Sequence, residues 1–258
     1  LPAHDLALLT DAALKAGEIA LRFWKQQPKS WDKGGGHGPV TEADLAVNEM
    51  LAGLLSSARP DYGWLSEETE DGLARRDRER LFIIDPIDGT RAFLAGEETF
   101  AHSLAVAEGG RVTAAVVYLP ALDRLYTACD HGPALCDGEP IRASTRAGIE
   151  GASLLATRSS LLPELWPGGV PDLTRSFRAS LAYRLCLVAE GRFDGMLTLR
   201  DTWEWDIAAG CLICERAGAA VTDAAGAGIV FNAAHPQATG VVAAAPGLHG
   251  ALLARLSG

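Results

Sequence analysis

The sequence predicts a mixed α and β fold built in layers, on three observations. Apolar residues recur at helical spacing near the N-terminus, give way from Tyr62 to short apolar runs, and beyond Gly151 form helix-like and strand-like segments in turn. The 258 residues, 48% of them hydrophobic and 22% charged, suffice for one large domain or two ordinary ones with a sizeable core.

Leu6 to Trp24 is interrupted by Asp11, Lys15 and Glu18, which predicts an amphipathic helix and argues against a signal peptide, although the absence of an initial Met leaves an earlier leader open. The stretch Gly34-Gly35-Gly36-His37-Gly38-Pro39 predicts a mobile surface loop. It is not a phosphate-binding P-loop, because no strand precedes it and no Gly-Lys-Ser/Thr closes it. Thr41 is a suitable N-cap for a second helix through Ala58, with Leu45, Val47, Met50, Leu51, Leu54 and Leu55 at near-helical spacing. Trp64-Leu65 and Leu81 to Ile84 read as buried strands, each ending in carboxylates, and the mixed charges of Arg75 to Arg80 between them predict a solvated turn or helix. Strands follow at His102 to Ala107, Val112 to Tyr118 and Arg124 to Ala128, the first two joined by a hairpin turn at Glu108 to Arg111, so this part is expected to be antiparallel. The Pro- and Gly-rich stretch from Asp137 to Gly151 predicts a seam, dividing the chain into residues 1–137 and 138–258. Beyond it a strand is expected at Ser153 to Thr157, and helices at Ser180 to Ala189 and Ile207 to Ala217.

The balance of 23 Lys and Arg against 33 Asp and Glu gives a formal charge of −10, which disfavours a sequence-independent grip on nucleic acid or on an anionic membrane. No run of residues approaches the ~18 to 20 apolar positions that span a bilayer. Five cysteines, an odd number in apolar surroundings, point to reduced thiols and a cytoplasmic compartment. Cys211 and Cys214 have the spacing of half a zinc or redox site, but without a second pair they read as small buried thiols.

The carboxylates cluster in four segments, Thr41-Glu42-Ala43-Asp44, Leu65-Ser66-Glu67-Glu68, Asp85-Pro86-Ile87-Asp88-Gly89-Thr90 and Trp203-Glu204-Trp205-Asp206. An acid just after an apolar strand emerges where neighbouring loops converge. Several acids there repel one another unless a counter-charge is present, and hard divalent cations with oxygen ligands are the usual one. Pro86 is expected to turn the backbone so that Asp85, the Ile87 carbonyl and Asp88 aim to one side. Gly89 permits close approach of an anion, and its amide and that of Thr90 would contact phosphate if a helical turn starts there. Taken singly, Asp44 could serve only a capping box with Thr41, Glu67 and Glu68 could be solvated, and Asp206 could cap the helix that follows. The joint occurrence favours a cation site. His37 and His102 are assigned no role.

At these residues the sequence closely resembles the inositol monophosphatase superfamily of magnesium-dependent, lithium-sensitive phosphatases. Asp85 to Thr90 and Trp205-Asp206-Ile207-Ala208-Ala209-Gly210 match its two signatures, while Pro39 to Asp44 and Ser66-Glu67-Glu68 match two minor ones. The resemblance implies a layered α/β/α/β/α sandwich of two subdomains, α+β in class and usually a homodimer. It implies that Glu67, Asp85 and the Ile87 carbonyl hold one Mg²⁺ and that Asp85, Asp88 and Asp206 hold a second, with a weaker third near Glu67. Thr90 and Asp44 would orient and deprotonate the attacking water, with Asp88, Gly89 and Thr90 beside the phosphate. An acidic protein can bind an anionic substrate in this way, because phosphate meets Mg²⁺ and not Lys or Arg.

The substrate is expected to be a small phosphate ester. In the inositol-specific branch a Glu that contacts ring hydroxyls lies seven residues before the second signature's Asp, and that position is Leu199 here. The Leu65-Ser66-Glu67-Glu68 form and the stretch from Ser180 to Gly191 look more like the 3'(2'),5'-bisphosphate nucleotidase branch, which hydrolyses 3'-phosphoadenosine 5'-phosphate. There a Ser and a basic residue contact the nucleotide's phosphates, and Ser180 and Arg184 match them; a solvated helix face is the other reading of Arg184. Two departures stand against this branch: Thr157-Arg158-Ser159-Ser160 lacks the branch's His, and Ala179 replaces a Gly. The expected activity is that of a Mg²⁺-dependent phosphomonoesterase acting on bisphosphate nucleotides, with inositol-1-monophosphatase activity, sugar bisphosphatase activity or a non-catalytic metal- or nucleotide-binding module as alternatives.

Overall fold

A computed structural model describes residues 2–34 and 38–257. Small residues set the first helix, α1 (Pro2–Phe23), where Leu9, Ala12, Ala13, Ala16 and Ala20 form one buried stripe. Two short strands follow, β1 (Ser30–Asp32) and β2 (Pro39–Thr41), paired antiparallel. The loop expected at Gly34 to Pro39 falls between them, and Gly35, Gly36 and His37 lie outside the described residues. Helix α2 (Glu42–Ala58) starts at the expected cap, with Thr41 and Asp44 closing a capping box.

Strand β3 (Gly63–Ser66) pairs in parallel with β4 (Arg80–Asp88). The segment between them differs from the solvated turn that its mixed charges predict. Arg75, in a 3₁₀ turn at Ala74–Asp77, is buried, because its guanidinium finds acceptors in Asp71, Asn232 and the Ala233 carbonyl. After the short α3 (Thr90–Leu94), strands β5 (Ala101–Glu108), β6 (Arg111–Leu119), β7 (Arg124–Cys129), β8 (Leu135–Cys136) and β9 (Glu139–Pro140) continue antiparallel, giving a seven-stranded sheet in sequential order from β3 to β9. Gly109 and Gly110 form the expected hairpin turn, both at positive φ (57° and 81°).

Strands β10 (Ala152–Leu155) and β11 (Leu173–Ser176), helix α4 (Leu181–Ala189) and strands β12 (Gly195–Thr198) and β13 (Thr202–Trp203) come next. Helix α5 (Glu204–Arg216), strands β14 (Ala220–Thr222), β15 (Gln237–Ala238) and β16 (Val241–Ala244), and helix α6 (Pro246–Ser257) complete the order. The second sheet has the order β11-β10-β12-β16-β14, and β13 pairs with β15 as a separate ribbon. Strand β10 ends at Leu155, short of the expected Thr157. Helix α5 starts at Glu204, before the expected Ile207, so Asp206 lies inside its first turn and is not its cap.

The burial pattern defines the layers. In the large sheet Phe82, Ile84, Leu104 and Val116 pack on α1 and α2, whereas Leu81, Ile83, Ala105 and Ala115 face α4 and α5. Those helices are covered on their other side by Leu155, Met196, Val241 and Ala243 of the second sheet. The opposite face of that sheet, Leu154, Leu197, Val242 and Ala244, packs on Leu248 and Leu252 of α6. The result is the α/β/α/β/α sandwich that the resemblance implies. The first sheet runs to Pro140, past the expected division at 137, and the second starts at Ala152, with one central core drawing on both halves. Cys211 and Cys214 sit in that core as free thiols. Among the described residues no helix is long and apolar enough to cross a membrane.

Candidate active site

The Asp85 to Asp88 segment does not leave the sheet as a turn. Strand β4 continues through it, but the register against β5 shifts between Asp85, opposite Ser103, and Asp88, opposite Ala101. Three steps on β4 thus face two on β5, which is a β-bulge. Proline is tolerated at a bulge because its missing N–H costs no ladder bond there. The carbonyl of the bulged Pro86 is held by Nδ1 of His102.

Asp85, Asp88 and Asp206 converge, each offering a carboxylate oxygen within 4.8 Å of the others. Asp206 arrives from the first turn of α5, and the Trp205 carbonyl beside it accepts a bond from Ser103 Oγ at 2.9 Å. Asp88 is fastened by Ser180 Oγ and the Ala182 amide, both 2.7 Å from its Oδ2. Asp85 is fully buried and its Oδ1 has no hydrogen-bond partner. Burial, then the charges of Glu67, Asp88 and Asp206, push the Asp85 carboxyl well above the usual range. Burial and the neighbouring Asp88 and Glu67 do the same to Asp206, while burial raises Asp88 to about 6. Three close acids, one with an orphaned buried oxygen, form a hard all-oxygen donor set, and the residues fit a divalent cation.

Glu67 stands apart from that trio. Its Oε1 accepts from Lys33 Nζ at 2.8 Å, and the same ammonium bonds Glu68 Oε1 at 2.5 Å. Glu68, expected among the loop acids, is half-buried and pushed to about 7, first by burial. Lys33 is a member of the site that the sequence reading misses. It follows β1 beside a glycine-rich stretch, with no local pattern to mark it.

Asp44 closes the capping box read for it and also faces Thr90. Its Oδ2 completes the capping box, accepting from the Thr41 amide at 2.8 Å and the Thr41 hydroxyl at 2.5 Å, and its Oδ1 faces Thr90 Oγ1 at 3.4 Å. Thr90 Oγ1 is also 3.2 Å from the Ile87 carbonyl. Burial raises the Asp44 carboxyl to about 6, against the lowering effect of its Thr41 bonds. Gly89, at φ 95°, makes the left-handed turn into the five residues of α3, a conformation that few other residues adopt.

A cavity of about 850 Å³ opens onto these residues, lined by Glu67, Gly89, Thr90, Phe177, Arg178, Arg200, Trp203 and Asp206, among others. The two residues expected to touch substrate phosphate are engaged within the protein. Ser180 is fully buried, caps α4 through the Tyr183 amide at 3.0 Å and donates to Asp88. Arg184 is no solvated helix residue: it is buried, its Nε donates to the Arg178 carbonyl at 2.5 Å, and its guanidinium lies 4.3 Å from the Phe177 ring centroid. It shapes the 177–179 segment, whereas Arg178 and Arg200 line the cavity itself. A third lining arginine, Arg91, directly follows Thr90, but Arg178 and Arg200 belong to no motif, which is why local sequence does not reveal them.

Comparison with known proteins agrees with this geometry. A profile described as the inositol monophosphatase family matches residues 3–257. An inositol-1-monophosphatase of Rhizobium meliloti (strain 1021) is 36% identical over 234 residues, covering 86% of each chain. A fructose-1,6-bisphosphatase/inositol-1-monophosphatase of Thermotoga maritima is 34% identical over 216 residues, 82% of each chain. The crystal structure of extragenic suppressor protein suhB from Bartonella henselae superposes with a TM-score of 0.85 at 30% identity, covering 98% of both chains. The fold and the family are thus those of a phosphatase, a phosphoric monoester hydrolase. The chain belongs to the inositol monophosphatase family.

Proposed function

We propose that this phosphatase uses Mg²⁺ and acts on a small phosphate ester whose leaving group carries a second anionic group, namely a 3'(2'),5'-bisphosphate nucleotide such as 3'-phosphoadenosine 5'-phosphate. The observation that carries the substrate class is the presence of three arginines, Arg91, Arg178 and Arg200, on the wall of the cavity that Thr90 and Asp206 also line. Guanidinium forks suit phosphate oxygens. Leu199, at the position where an inositol-specific enzyme is expected to carry a Glu, packs its side chain on the Leu154, Leu197 and Val242 core. No carboxylate is offered to ring hydroxyls from that position.

Asp85, Asp88 and Asp206 would hold Mg²⁺, and Glu67 and the Ile87 carbonyl would add ligands for a second or third ion. The cation supplies positive charge to the phosphoryl oxygens and acidifies water. The chain's own residues do the rest. The Gly89 and Thr90 amides, in a turn whose first N–H groups lack intrahelical acceptors, orient the phosphate. The Thr90 hydroxyl donates to Asp44 Oδ1 and accepts from the attacking water, and the proton passes to Asp44, whose burial makes it a stronger base than an ordinary Asp. Free cysteines fit a reducing, cytoplasmic setting.

The names of the relatives favour a second reading, inositol 1-phosphate as substrate. Turnover of 3'-phosphoadenosine 5'-phosphate, inositol 1-phosphate and fructose 1,6-bisphosphate, compared side by side with Mg²⁺ and with added Li⁺, separates the readings. The nucleotide is expected to exceed the others by about tenfold in kcat/KM. Preference for inositol 1-phosphate overturns the substrate assignment alone, and no phosphate release from any ester at any Mg²⁺ level leaves a binding module.

A further inference from the structure

We propose that His102 is a positioning residue for the cation site: its Nδ1–H holds the Pro86 carbonyl, and with it the bulge that turns Asp85 and Asp88 to the same face of the sheet. The proposal rests on the reading of those two acids as cation ligands.

The argument begins with parity. Side chains alternate along a strand, and in β4 Leu81 and Ile83 face the central core whereas Phe82 and Ile84 face α1 and α2. Asp85 continues on the central side. In unbroken alternation Asp88 would point to the opposite face, away from Asp206. The bulge reverses the phase, because Ile87 packs in the α1/α2 core and Asp88 pairs with Ala101, which faces the central core with Ala105 and Ala107. Residues directly opposite in an antiparallel pair share a face, so Asp85 beside Ser103 and Asp88 beside Ala101 both face α5. The convergence of the three carboxylates therefore depends on one extra residue in β4.

His102 is the β5 residue opposite that extra residue. It is fully buried, and a carbonyl can only accept, so Nδ1 carries the hydrogen. Burial keeps the ring neutral, pushing it down to about 4. Its Nε2 is buried without any partner. An apolar side chain would avoid that orphaned atom, so the bond to Pro86 is the interaction that gives an imidazole a role here. The next residue, Ser103, points the other way and bonds the Trp205 carbonyl beside Asp206. Two successive residues of β5 thus fasten both segments that supply the acids. Partners behind metal ligands typically change affinity by about 10- to 100-fold when removed.

The test is Mn²⁺ binding to the metal-free protein, followed by electron paramagnetic resonance with Mg²⁺ as competitor, for the wild type and for H102L, H102N and H102Q. Leucine fills the space without a donor, Asn places its amide nitrogen where Nδ1 sits, and Gln reaches instead toward Nε2. The expected result is H102L folded yet binding Mn²⁺ about tenfold or more weakly, with H102N close to wild type. Wild-type affinity in H102L, or equal losses in H102N and H102Q, overturns the proposal. If H102L does not fold, the comparison of H102N with H102Q decides. Failure of the wild type itself to bind Mn²⁺ overturns the cation reading of Asp85 and Asp88, and with it this one.

Discussion

Thr90 Oγ1 lies 3.4 Å from Oδ1 of Asp44, a residue 46 positions earlier, while the other oxygen of the same carboxylate closes the capping box of α2. One side chain therefore anchors a helix and faces the hydroxyl that would orient water. For Asp44→Asn the cap should weaken only modestly, because an amide oxygen still accepts, but the base is removed. Turnover is expected to fall by ~100-fold or more, with little change in Mn²⁺ affinity. Steady-state kinetics beside a metal titration checks both.

The acid cluster makes stability depend on pH in the absence of metal. Asp44 and Asp88 are raised from 3.8 to about 6 in the folded protein, so between these values the fold holds protons that the unfolded chain has lost. The stability they contribute is full below about pH 4 and is lost as the pH rises through about 6. Thermal unfolding of the metal-free protein should show that decline, and Mg²⁺ added at neutral pH should reverse it by binding the folded state alone. A melting temperature independent of pH across this window, or indifferent to Mg²⁺, contradicts the cluster's assignment.

Gly210 is needed for the close packing of α4 on α5. A Cβ there would stand 2.5 Å from Leu185 Cδ1 and 2.6 Å from Leu185 Cβ. Gly210→Ala should destabilise the protein by ~1 to 3 kcal/mol despite the better helix propensity of Ala, read as a lowered midpoint in urea.

Arg200 is exposed on the cavity wall, close enough for its charge to oppose the rise of Asp206 and to add to the lowering of Arg184. With 3'-phosphoadenosine 5'-phosphate, Arg200→Ala is expected to raise KM by ~10- to 100-fold, the loss of a charged hydrogen bond. With p-nitrophenyl phosphate, which has no second anion, KM should barely change. Equal effects on both esters would place Arg200 at the scissile phosphate.

Much of the site is legible locally because its residues come in short segments with strict requirements. A capping Thr with Asp three residues on, a Pro between strand-end acids and a Gly before Thr90 each constrain the backbone within one turn. The short apolar run Leu81 to Ile84 and the Gly109-Gly110 hairpin mark the sheet in the same way. Other features have no such signature. Lys33 reaches Glu67 and Glu68 from 34 and 35 residues away, Arg75 is buried because the 232–233 loop brings acceptors to it, and Arg184 turns inward because the 177–179 segment offers carbonyls.

The sequence by itself determines that acids gather in short segments at or near the termini of strands and helices, and where the cap of α2 falls, because these follow from contacts within a few residues. Only the tertiary structure decides that Asp85 and Asp88 share a face, that His102 holds the bulge between them and that Arg200 reaches the cavity. Each depends on register or packing between segments far apart in the chain, where the choice is made by what fills the space and which buried donor finds an acceptor.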